Sequence, residues 1–122
     1  MKGQPVEFLD FIEADLRYAR AYYDSWLTGG GAVFHERFRE TVEWIEWNPE
    51  LFPKKYKRFR RAIIRRTYFG LFFAIESEVT TVMAVLDMRQ NPAAIRCILA
   101  GAINRQIQVK SSERMRGRVG SG

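Results

Sequence analysis

Apolar residues repeat along this chain with two different periods, and the change near residue 56 divides it. Val6-Glu7-Phe8-Leu9 reads as a short first strand. Asp10 then caps a helix with apolar positions at Leu16, Ala19, Tyr22 or Tyr23, and Trp26, the spacing of one helical face. Gly29-Gly30-Gly31 ends it as a turn. A second helix is expected from Ala32 to Trp47, with Phe34, Phe38, Val42 and Ile45 on one face and Asn48-Pro49 as its stop. The two helices should form an antiparallel hairpin, with Trp44 and Trp47 taking part in its packing.

From Tyr56 onward the pattern becomes that of strands. Residues 57–66, 67–76 and 79–88 are rich in Ile, Val, Thr, Phe and Tyr, and Glu76-Ser77-Glu78 separates the last two as an antiparallel hairpin. In the last strand Thr81, Met83 and Val85 share one face, and Val82, Ala84 and Leu86 share the other. Both faces are apolar enough for burial, which predicts a central strand packed under the helices. After Asn91-Pro92 a third helix is expected, with Ile95, Ile98 or Leu99, Ala102 and Ile103 in register. Residues 110–122 lack periodicity and read as a disordered basic tail. The predicted fold class is α+β: a strand, a helical hairpin, a three-stranded antiparallel sheet and a C-terminal helix, in one domain spanning residues 1–109.

Charge sharpens this division. The chain has 122 residues and a net charge of +6. Residues 1–53 carry five Lys/Arg against ten Asp/Glu, whereas residues 54–122 carry fifteen against four. Residues 54–66 hold eight of those positive charges and no negative one. Interleaved with Tyr56, Phe59, Ile63 and Ile64, they suggest one strand with a charged face and a buried face. That face suits a polyanion or an acidic protein. A lone Cys97 among Ile95, Ile98 and Leu99 reads as a small buried hydrophobe in a reducing compartment. The start of the chain has no signal-peptide core, and no uncharged stretch is long enough to span a membrane. A cytoplasmic protein with no membrane partner is expected. His35 is the sole histidine and has no ligand set around it, so no metal or other cofactor is implied.

The order of elements carries a resemblance. Asp15-Leu16 and Tyr22-Tyr23 lie in the first helix; Asn48-Pro49-Glu50-Leu51-Phe52-Pro53 and Arg60-Arg61 follow. Then come Tyr68-Phe69-Gly70-Leu71-Phe72-Phe73-Ala74-Ile75, Val82-Met83-Ala84-Val85-Leu86 and Arg89-Gln90-Asn91-Pro92. Over about residues 5–96 this set resembles the RelE/ParE superfamily, the toxins of bacterial type II toxin–antitoxin, or plasmid-stabilisation, modules. The resemblance implies a growth-inhibiting toxin neutralised by a cognate antitoxin. The sequence does not choose between a homodimer and a toxin–antitoxin hetero-oligomer, and the resemblance implies one of two targets. One branch binds DNA gyrase and is not an enzyme; the other cleaves messenger RNA on the ribosome. An inactive, antitoxin-binding relative is a third form.

Messenger cleavage needs a base for the 2′-hydroxyl, positive charge on the phosphate and an acid for the leaving oxygen. For that branch Arg89, Arg61 and Lys55 are the catalytic candidates, Arg89 standing where the family carries a functional arginine. Lys54, Lys57, Arg58, Arg60, Arg61, Arg65, Tyr68 and Arg89 are the candidates for target or antitoxin binding. Two departures lower the ribonuclease reading. No tyrosine follows Tyr68, and Asp87 stands where many relatives have a histidine, close enough to Arg89 to pair with it. The leading expectation is therefore a toxin that acts by binding gyrase. The basic face, flanked by Tyr56, Phe59 and the aromatics of residues 68–73, would take an acidic antitoxin segment.

Overall fold

The computed structural model describes residues 3–10 and 12–103; the expected tail 110–122 and the domain end at 109 lie outside them. Strand β1 (Val6–Phe8) leads into helices α1 (Ile12–Trp26) and α2 (Gly30–Trp47). A 3-10 turn, Pro49–Leu51, precedes β2 (Lys54–Tyr56), β3 (Phe59–Ile63), β4 (Phe69–Ile75) and β5 (Thr80–Asp87). Residues 92–103 form a third helix, α3. The strands make one sheet in the order β1-β5-β4-β3-β2. β1 runs parallel to β5 and the other pairs are antiparallel. The α+β class and the expected elements are observed in order, with one short strand, β2, added to the expected three and β1 joined to the same sheet.

The glycine triplet is used almost entirely by the helix–helix joint. Gly29 has φ 85°, the left-handed region that glycine enters at little cost. α2 already begins at Gly30, earlier than the expected Ala32. A Cβ at Gly30 would stand 2.3 Å from the Tyr23 carbonyl oxygen, and one at Gly31 would stand 2.8 Å from that of Arg20. The two helices thus meet backbone to backbone. Gly31 N–H donates to Asp24 Oδ1 at 2.8 Å, so a side chain of α1 satisfies one of the free donors at the start of α2.

Each sheet face has its own core. The helical hairpin covers one face through Ile12, Ala19, Phe34, Phe38 and Ile45, packed on Ala62, Ile64, Phe69, Leu71, Phe73, Val82 and Val85. On the other face α3 lays Leu99 and Ala102 against Phe72, Ala74, Met83, Ala84 and Leu86. This division corrects the predicted faces of β5. Phe72 stands opposite Ala84 and Phe73 opposite Val82, so Met83 is an extra residue, a β-bulge. The bulge resets the alternation: Val82 and Val85 share the hairpin side, and Met83, Ala84 and Leu86 share the other.

Three further expectations change. The basic run is not one strand from 57 to 66. It folds into the tight β2–β3 hairpin, with Lys57 at φ 50° in the turn. Within it Phe59 and Ile64 are buried on opposite faces, and Ile63 is 56 % exposed. Trp44 and Trp47 do not pack in the helical hairpin but are 58 % and 63 % exposed. The buried stripe of α2 runs through Phe34, Phe38, Thr41 and Ile45, and at 3.6 residues per turn both indoles fall off it. Cys97 is exposed, because α3 turns Leu99 and Ala102 inward and residue 97 lies on the far side of that face.

Candidate functional site

The best-formed cluster of candidate residues stands where β5 leaves the sheet. Phe69 pairs with Asp87, and Met88 N–H donates to the Tyr68 carbonyl at 2.8 Å, so Tyr68 and Arg89 are brought together by strand register. Arg89 folds back on its own strand end. Its Nε–H donates to Asp87 Oδ1 at 3.0 Å, and its Nη2–H to Oδ2 at 2.7 Å. The Arg89 backbone N–H also donates to Oδ1, at 2.9 Å. This fork matches a planar guanidinium to a planar carboxylate.

Two tyrosines frame the pair. The Arg89 Cζ lies 4.1 Å from the centre of the Tyr68 ring and 5.1 Å from that of Tyr22 on α1. Tyr68 is itself pinned, because its backbone N–H donates to the Tyr23 hydroxyl at 2.9 Å. Beneath them Tyr22, Tyr23 and Phe34 pack on Phe69 with ring centres 5.5–6.1 Å apart. The hydrogen bonds from Arg89 hold the Asp87 carboxyl below the usual carboxylate range, against a smaller opposing effect of burial. Asp87, and secondarily Tyr22, raise the pKa of Arg89. The centre is thus charge-balanced. It offers an arginine flanked by aromatic rings and already matched by a carboxylate.

The other candidates are dispersed. Arg61 pairs in register with Phe72 and faces the α3 side of the sheet. Its Nε is buried without a hydrogen-bond partner. Gly70 makes room for it, since a Cβ there would stand 3.2 Å from Arg61 Cγ and 2.7 Å from Met88 Sδ. Arg60 turns to the hairpin side, where its Nη1 donates to the carbonyls of Phe52 at 2.7 Å and Glu50 at 3.4 Å. Arg65 reaches Glu40 on α2 at 3.2 Å. Lys54, Lys55, Lys57 and Arg58 sit on the β2–β3 hairpin, at the opposite end of the strands from Arg89; Arg58 meets Glu76 at 3.9 Å. Lys55 and Arg89 therefore do not form one catalytic group.

Of the residues named from the sequence, the structure brings Tyr68 and Arg89 together and pairs Arg89 with Asp87. Sequence reasoning missed Tyr22 as the second ring on Arg89, because helical periodicity assigns Tyr22 to the core. The expected aromatic docking face is also corrected. Phe59, Phe69, Phe72 and Phe73 are buried, which leaves Tyr68 and part of Tyr56 for a partner.

Neither a protein-family model nor a curated protein sequence matches this chain. Among solved structures it is similar to a chain of the "Chromosomal ParDE TA system from P. aeruginosa". The TM-score is 0.59 and the identity 15 %, over 67 % of this chain and 92 % of that one. The likeness is one of fold, and it matches the fold expected from the ordered residue set.

Proposed function

We propose that this chain is the toxin component of a type II toxin–antitoxin module, and that it inhibits growth by binding DNA gyrase. A cognate antitoxin neutralises it by covering part of the same surface. The fold it shares with a chain of a ParDE system supports the module. The observation that carries the binding-only mode is the Asp87–Arg89 fork. An arginine already matched by a carboxylate contributes little to a transferring phosphate, yet with Tyr68 and Tyr22 it makes a rigid anchor for a protein partner. In this reading Arg89, Tyr68 and Tyr22 contact the target, while Arg60 and Arg65 hold the fold.

One observation favours messenger cleavage instead. Arg61 keeps a buried, unsatisfied Nε on the sheet face away from the helical hairpin, and an anion there would satisfy it. Pulse-labelling of protein and DNA synthesis after inducing the chain alone separates the readings. DNA synthesis failing first supports gyrase binding. Protein synthesis failing first overturns it in favour of cleavage through Arg61. No growth defect at all points to an inactive, antitoxin-binding relative.

A further inference from the structure

A second surface lies at the other end of the molecule and is independent of the target reading. The last two turns of α2 carry Trp44 and Trp47, whose rings meet edge to face at 5.7 Å. Leu51, in the following 3-10 turn, is 57 % exposed. With an indole side chain covering up to about 250 Å², the two rings alone leave about 300 Å² of apolar surface in water. That is already the size of the largest patch on many monomers, and such patches are commonly functional.

The charges around the patch are arranged against local stability. Glu43, Glu46 and Glu50 are exposed and form no salt bridge among the described residues. The last turn of α2 contains no basic residue, although a helix C-terminus favours cations and disfavours carboxylates. A positively charged partner would relieve both the carboxylates and the helix end, and it would stack favourably on the two indoles.

The chain supplies such a surface next to the patch. Only Asn48 to Pro53 separates α2 from β2, and Arg60 binds the carbonyls of Glu50 and Phe52, fixing the 3-10 turn against β3. Lys54, Lys55 and Lys57, all exposed and with no salt bridge among the described residues, lie on the β2–β3 hairpin. An acidic, aromatic half and a basic half therefore lie side by side. A surface of that kind is self-complementary under a two-fold axis. We propose that a second copy of this chain docks here, the indoles and glutamates of each copy meeting the lysines of the other. Direct pairing of the two free β2 edges is disfavoured, because it would set Lys54 and Lys55 against their own copies.

The test is sedimentation velocity on the full chain as a function of concentration, at low and high salt. The expected wild-type behaviour is a rise from the monomer mass of 14.3 kDa toward twice that value, reversed by salt. Glu43→Lys with Glu46→Lys, and separately Lys54→Glu with Lys55→Glu, should each weaken association by more than about tenfold. A one-to-one mixture of the two variants should recover the dimer, because every charge then meets its opposite. Trp44→Ala with Trp47→Ala should also yield a monomer, with an unchanged circular dichroism spectrum. A wild-type mass of 14.3 kDa at every concentration overturns the proposal and leaves the patch to a basic partner of another kind. A mixture that stays monomeric overturns it too, as does a tryptophan variant that still dimerises.

Discussion

Replacing Asp15 with alanine should destabilise the fold disproportionately for a half-buried surface helix residue. β1 accompanies β5 only from Thr80 to Val82. The bulge at Met83 then turns the Val85 N–H toward the side that β1 has vacated. Asp15 Oδ2 on α1 accepts that N–H at 3.0 Å, and Val85 is only 3 % exposed. Removing the carboxylate leaves a buried amide with no strand to pair with. Losing a hydrogen bond to a charged group, with its partner stranded, costs about 1.5–3 kcal/mol. For a domain of this size, about 2 kcal/mol corresponds to roughly 8 °C in the thermal midpoint. Asp15→Asn keeps a carbonyl acceptor and loses only the charge assistance, so about half that loss is expected. Thermal unfolding followed by circular dichroism at neutral pH tests both. If Asp15→Ala melts within about 2 °C of wild type, or if Asn and Ala are equally damaging, the assigned role of this carboxylate is wrong.

Three more outcomes follow from the geometry. Phe69 is 1 % exposed under Tyr22, Tyr23 and Phe34, so Phe69→Ala should cost about 3–5 kcal/mol in urea unfolding, and a loss below about 1 kcal/mol would contradict the packing. Arg89 depresses the pKa of Asp87 in the folded state. The stability this pair adds is present above the unfolded carboxylate value of about 4 and is lost as pH falls through the folded one. Because Arg89 is exposed and Asp87 only partly covered, solvent screens the pair and the effect is small. The difference in thermal midpoint between wild type and Asp87→Asn should shrink with acidification, and a constant difference would exclude the linkage. Finally, Arg60→Ala should remove about 1 kcal/mol and raise hydrogen exchange at Leu51 and Phe52, which report on the turn that Arg60 holds. Unchanged exchange there would mean that the turn holds itself.

What the sequence made legible was what period and punctuation encode. The α1–α2 joint was readable because three glycines in a row admit few structures, and the buried stripe of α2 because Phe34, Phe38 and Ile45 keep helical spacing. The strand order around β4 and β5 was readable because both are apolar on two faces and are separated by Glu76-Ser77-Glu78. Three features were not readable, each for a physical reason. The bulge at Met83 adds one residue without any glycine or proline to mark it. The β2–β3 turn places Lys57 in a left-handed conformation that sequence rules assign to Gly or Asn. The exposure of Trp44 and Trp47 reverses the usual rule that large apolar residues are covered.

The candidate site shows the same division. Asp87 and Arg89 are two apart and their pairing could be anticipated, but the rings that flank Arg89 stand 21 and 67 positions away from it in the chain and meet it only in the fold: Tyr68 by strand register and Tyr22 from α1. Without those rings, an arginine after a strand in a strongly basic half reads as one more phosphate ligand. With them, and with its charge met by Asp87, it is held in place, as the proposed protein-binding role requires. The basic residues that first suggested a single polyanion surface are then free to have separate duties. Arg60 and Arg65 stabilise the hairpin face, Arg61 lies on the opposite face, and the lysines of β2–β3 stand beside an acidic, aromatic helix end. Net charge describes this chain poorly; the separation of its charges along the sheet sets the lysines of the β2–β3 hairpin apart from the matched Asp87–Arg89 pair, and the two proposed partner surfaces rest on that separation.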